Sequence, residues 1–261
     1  MTGSLSILER CLWAISTLCT IALIARLWRE RLHSLYRFFF AYLICDLVLS
    51  LVLSQLSPKT FLYGLIFILS QPVFWFLYIL ITLELYTLVL GSLTGIATLG
   101  KRFVQFALAF AISGAALSTW LLDLKTSPRS SPILQYTFVL NRAVATSVVI
   151  FLFVIVCFLV WFPVRLNRNV VAYCAGYFVY FLSKSFVLLT HNLLGPASTR
   201  TLSTIMLGIC CLCLLFWTLV LRGEAEKTSV VSGHRWRPED EDRLLEQLET
   251  INASLLRIAR K

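Results

Sequence analysis

Long apolar blocks recur along this chain, separated by short basic loops, and that alternation limits its fold more than any other feature. Seven segments read as hydrophobic: 11–25, 38–56, 61–90, 103–122, 133–162, 170–194 and 202–221. A straight helical crossing of a bilayer takes about 20 residues at 1.5 Å each. The first segment is short but can extend toward Leu5, and the third and fifth approach thirty residues, so these two must tilt, kink or project. Pro72 inside the third predicts a kink. Only 14% of the 261 residues are charged, against about a quarter in a soluble domain. The expectation is an all-α, polytopic transmembrane bundle of seven helices (1–222), a polar linker (223–235) and a C-terminal cytoplasmic amphipathic helix (236–261).

The charges set an orientation. The net charge of +10 does not point to nucleic acid, because the basic residues flank apolar blocks and form no single run or face. The first loop carries Arg26, Arg29, Arg31 and Arg37 against Glu30, the third Lys101 and Arg102, and the fifth Arg165 and Arg168. The alternate loops carry less: Lys59 in the second, Lys125 and Arg129 against Asp123 in the fourth, Arg200 in the sixth. Positive loops stay in the cytoplasm, which puts the N terminus outside and the tail from Arg222 inside. The opening MTGSLSILER has no basic region ahead of its apolar stretch, so it reads as the start of the first span and not as a cleaved signal. Trp28, Trp120 and Trp161 fall near the expected interfaces.

Two helices carry polar stripes. Tyr173, Tyr177, Tyr180, Lys184 and His191 are spaced 4, 3, 4 and 7, which keeps them on one helical face. Such a face turns from lipid toward the bundle interior or a wet cavity. In the second span Tyr42, Asp46, Ser50 and Ser54 repeat every four residues. Asp46 lies roughly 12 Å and Lys184 roughly 21 Å from the cytoplasmic ends of their spans, and a lysine reaching about 6 Å back along its helix bridges much of that gap. The pair could fix helix register, or serve as an ion relay, ligand counter-ion or substrate contact. The third reading is a lysine that snorkels. Glu84 falls near the cytoplasmic boundary, Arg142 and His191 near the outer one. Thr204, Gly208, Cys211 and Thr218 in the last span, and Gly114 and Ser118 in the fourth, read as close helix packing through small residues.

Sharper identities fail on specific residues. A retinal protein needs a lysine on its last span, and 202–221 has none. The aspartate in YLICDLVLS is faintly like that of G-protein-coupled receptors, but the third span ends LELYTLVL without an acidic–arginine–aromatic triplet, and the last span lacks Asn–Pro–x–x–Tyr. Carriers with three-plus-one-plus-three spans use a Pro–Gln pair, whereas Gln71–Pro72 reads in reverse. No nucleophile elbow, metalloprotease helix, phosphate loop or intramembrane-protease Gly–Asp pair is present. The eight cysteines lie in or beside apolar blocks, without the loop placement of a disulfide framework or the paired His spacing of a zinc site. No cofactor or metal is expected.

The tail changes character at RWRPEDEDRLLEQLETINASLLRIARK. Pro238 suits a first helical turn, and acidic residues near the start and basic ones near the end complement a helix dipole. Leu244, Leu248, Ile251, Leu255 and Ile258 step by 4, 3, 4 and 3, a seam of about two heptads. That seam serves either self-association or a cytoplasmic helical partner, or it lies on the membrane or on the bundle's own loops.

Around ELYTLVLGSLTGIATLGKR the chain resembles uncharacterised multi-pass bacterial membrane proteins. The resemblance covers one span and one loop. It implies a bacterial inner-membrane location and assigns no residue a role. The leading expectation is an integral membrane sensor or assembly component that works through its tail. The alternatives are a small-solute or ion transporter or channel using the Asp46/Lys184 region, and a membrane enzyme acting on a lipid-like substrate.

Overall fold

The computed structural model describes residues 7–56, 60–90, 132–161, 164–194, 199–223 and 229–232, with 109, 113, 243, 246, 247 and 250. Six helices among them are long and apolar enough to cross a membrane: α1 (Ile7–Arg29), α2 (Arg37–Ser54), α3 (Phe61–Leu90), α4 (Pro132–Trp161), α5 (Arg168–Leu194) and α6 (Thr199–Val220). Apart from residues 109 and 113, the expected span at 103–122 lies outside the described residues, as does the tail seam Leu244, Leu248, Ile251, Leu255 and Ile258. The first helix extends to Ile7, as its short apolar core required, and α3 continues through Pro72 without interruption.

The six helices close into a ring. Each packs on the next, and α6 returns to pack on α1. Large apolar side chains on the outside, such as Leu18, Val48, Leu69, Phe76, Phe153 and Leu212, are exposed. An apolar coat of this kind suits a lipid solvent, since a soluble monomer rarely exposes so many. Aromatic side chains of α2, α3, α5 and α6 fill the middle.

Helix directions follow from which residues meet. Along α1 and α6, Glu9 accepts from Thr204, the Leu12 carbonyl accepts from Cys211, and Arg26 donates to the Thr218 carbonyl. The numbers rise together, so α1 and α6 run parallel. Phe39 meets Tyr173 and Tyr42 meets Tyr180, so α2 and α5 are parallel too. Phe39 meets Glu84 and Tyr42 meets Phe74, so α3 opposes α2 and therefore α5. Helix α4 also opposes α5, since the two share a short connection and Thr146 meets Ser185. Helices α3 and α4, consecutive among those described, consequently point the same way.

The basic end of the ring is tied together by polar contacts. Asn169, fully buried, donates to the Arg222 carbonyl at 2.7 Å and accepts from the Arg222 N–H at 3.2 Å. Glu30 accepts from the Gly223 N–H at 3.2 Å. The chain then pairs with the α4–α5 connection as an antiparallel ribbon, β1 (Val164–Asn167) with β2 (Ser229–Ser232), in the register Val164 with Ser232 and Asn167 with Ser229. The sequence places this stretch in a polar linker. Its Val–Val pair has strand propensity, and the facing strand supplies the backbone partners. Asn169→Ala should therefore cost about 2 kcal/mol, from two lost hydrogen bonds to otherwise unpaired backbone groups. It should also speed tryptic cleavage after Arg222, read by timed proteolysis of the full chain in detergent.

Candidate functional site

The tyrosine face of α5 does turn inward. Tyr173 and Tyr177 are 0% and 1% exposed, and Tyr180 is 9% exposed. They do not line a wide cavity. Their rings pack into an aromatic column: Tyr173 and Tyr177 lie 5.4 Å apart, Phe39 lies 4.9 Å from Tyr173, and Trp217 lies 5.0 Å from Phe39. Gly176 makes room for this. A β-carbon there would fall 2.5 Å from Trp217 Nε1 and 2.7 Å from Cε2, so the indole lies directly against the α5 backbone.

Lys184 is half-buried one turn beyond Tyr180. Its ammonium donates to Tyr78 Oη at 2.9 Å and sits 4.4 Å from the centroid of the same ring. Asp46, half-buried one turn beyond Tyr42 on the parallel helix α2, lies within electrostatic range of Lys184. The expected pair is thus a long-range one, and the direct partner of the lysine is a tyrosine on α3. The hydroxyls of Tyr42 and Tyr180, one turn before Asp46 and Lys184 on the same two helices, meet at 3.3 Å. His191 belongs to α5, but its side chain lies outside the described residues. The α2 stripe only partly faces inward: Ser50 accepts from Trp13 Nε1 of α1 at 2.9 Å, and Ser54 is exposed.

Tyr78 is a site residue that the sequence reading passes over. Gln71, Tyr78 and Thr82 are spaced 7 and 4 on α3, and all three are buried. A polar stripe at that spacing was the available signal. Glu84 also has a firmer role than a boundary charge. It is 7% exposed and accepts from the N–H groups of Phe38 and Phe39 at 3.2 and 3.4 Å. A carboxylate there satisfies the open donors at the start of α2 and complements the positive end of its dipole.

A narrow void of about 10 Å³ lies among Tyr42, Asp46, Tyr177, Tyr180, Cys210 and Trp217. That is close to the space one water needs. The Tyr173 and Tyr177 hydroxyls and Trp217 Nε1 are buried without a hydrogen-bond partner. No group of three or more His, Cys, Asp or Glu side chains could hold a metal among the described residues. The arrangement suits charge and proton chemistry more than group transfer: a carboxylate, an ammonium and several hydroxyls, packed so tightly that only a water-sized particle fits. No protein-family model matches the chain, nor does any curated protein or solved structure.

Proposed function

We propose that the chain is a seven-span membrane sensor or assembly component whose output is the C-terminal tail. The parallel directions of α3 and α4 support the seventh crossing. A chain leaving α3 at one face must return to the other before it enters α4, and 103–122 is the apolar stretch available. The parallel directions of α1 and α6 also support an odd number of crossings. Arg26, Arg29, Arg31, Arg37, Arg168 and Arg222 all lie at the end of the ring where α1 and α6 finish. That bias supports a cytoplasmic C terminus and an outer N terminus, in a bacterial inner membrane by the resemblance noted above.

The observation that carries the reading is the clamp on the α6 exit. Asn169, Glu30 and Arg26 hold the residues from Thr218 to Gly223, and the ribbon holds the next stretch to the α4–α5 connection. A shift of α1 or α5 therefore bears through hydrogen bonds on the residues that leave α6, from Thr218 to Gly223. The test is the mass of the full chain in detergent or nanodiscs beside a version lacking 236–261. The full chain should be oligomeric and the truncated one a folded monomer. Oligomers that survive the deletion, or a monomeric full chain, would remove self-association as the tail's role.

The Asp46 void favours a second reading, a transporter or channel for an ion or small solute. Proteoliposome uptake that survives the tail deletion and is lost in Lys184→Ala would select it over the first.

A further inference from the structure

The connection from α1 to α2 is short and fixed in place. Leu32 and Tyr36 are buried in the ring, and the Leu35 and Tyr36 N–H groups both donate to the Leu32 carbonyl. What this connection holds outward is basic. Arg29, Arg31 and Arg37 are exposed, and none of them closes an ion pair among the described residues. The other two charges of the stretch are engaged with the exit from α6. Arg26 donates to the Thr218 carbonyl, and Glu30 accepts from the Gly223 N–H. Three guanidiniums are thus left facing the level where the apolar coat ends.

Two further observations point to what they meet. Arg31 has φ 55° and ψ 22°, a left-handed conformation just past the end of α1, where glycine is the usual residue. A β-carbon there is strained, and such strain is kept where the side chain has a use. The cations also stand beside apolar rings. Arg37 Cζ lies 4.6 Å from the centroid of Phe38. Trp28, 63% exposed, stacks on His33 at 4.8 Å and lies 6.1 Å from Phe40. An exposed indole at the end of a span belongs to the boundary between headgroups and acyl chains. An acidic peptide would use the charges and leave Trp28 bare, whereas an anionic phospholipid uses both.

We propose that Arg29, Arg31 and Arg37 form a headgroup site for an anionic phospholipid, with its phosphate on the guanidiniums and an acyl chain along the Trp28 face. Guanidinium presents paired N–H donors that match phosphate oxygens. The site needs only the bundle and is independent of the tail's role.

The test is native mass spectrometry of the full chain in detergent, titrated with phosphatidylglycerol and, as the neutral comparison, phosphatidylethanolamine. Phosphatidylglycerol should bind more tightly by about tenfold or more. Arg31→Gly should weaken that binding about fivefold, the effect of one basic residue near an anionic surface. Its melting temperature should not fall, because glycine takes the left-handed conformation without strain. Arg29→Gln/Arg31→Gly/Arg37→Gln should weaken binding about a hundredfold. Arg10→Gln, at an exposed arginine near the start of α1 and the opposite end of the ring, should leave it unchanged. Equal affinity for the two lipids overturns the proposal, as does a stably folded triple variant that binds like the parent. So does a loss in Arg10→Gln as large as that in Arg31→Gly. Full competition by inorganic phosphate alone would make this a site for free anions and not for lipid. Binding that appears only in the chain lacking 236–261 would give the surface to the acidic run Glu239–Asp242 instead.

Discussion

Gly176→Val should destabilise the bundle by about 3 kcal/mol, near the top of the usual range for overpacking. The β-carbon alone would enter the Trp217 indole, at 2.5 Å from Nε1 and 3.1 Å from Cζ2, and two methyls would follow it. The indole has little room to retreat, since Trp217 is 3% exposed and bounded by Phe39, Tyr173 and Tyr177. Gly176→Ala should cost less, about 1–2 kcal/mol. Trp217→Phe removes the atoms that clash, so the Gly176→Ala/Trp217→Phe double variant should lose less than the sum of the singles. Denaturant or thermal unfolding in detergent reads all four proteins. A Gly176→Val protein that unfolds like the parent would mean that α5 and α6 do not meet through this indole. By contrast, Gly208 has open space where its β-carbon would go, and alanine there should be tolerated. Small size at Gly208 is therefore not what brings α6 to α1. The hydrogen bonds from Thr204, Cys211 and Arg26 run along that seam instead.

The spans were readable because bilayer thickness, apolarity and helical rise together leave few choices of length. Segments 61–90 and 133–162 were placed to within a residue of α3 and α4. The inward turn of Tyr173, Tyr177 and Tyr180 was readable as well, since five side chains with polar atoms on one helical face have nowhere to go in lipid. Helix neighbours were not. The spacing of Asp46 and Lys184 gave their depths but no azimuth, and the lysine found the nearer hydroxyl of Tyr78. Glu84 was opaque for the same reason: its partners are backbone N–H groups, which leave no residue-type signature. Gly176 is a single glycine in an apolar run, and nothing in YCAGYF says that an indole 41 positions away lies across it. The ribbon escaped because two four-residue strands are short enough to read as loop, and each gains its partners only from the other.

Lys184→Met should cost about 2–3 kcal/mol, the upper range for losing a charge-assisted hydrogen bond. Two losses combine. The Tyr78 hydroxyl gives up a charge-assisted bond at 2.9 Å, and Asp46 loses its nearby cation, in surroundings of low dielectric where an uncompensated charge is costly. Asp46→Asn should be milder, about 1–2 kcal/mol, because Lys184 still holds Tyr78 and the ring face beneath it. This asymmetry distinguishes the observed geometry from a direct ion pair, which would make the two single variants comparably costly. Asp46→Asn/Lys184→Met removes both charges together and should regain at least 1 kcal/mol over Lys184→Met alone. Additive costs in that cycle, measured by unfolding in detergent, would mean that the two charges do not oppose each other, and that the lysine stem has swung its ammonium to the bundle surface. A well-folded double variant is also the cleaner background for activity: a function lost there is lost with the charges, while the helices that carried them keep their places.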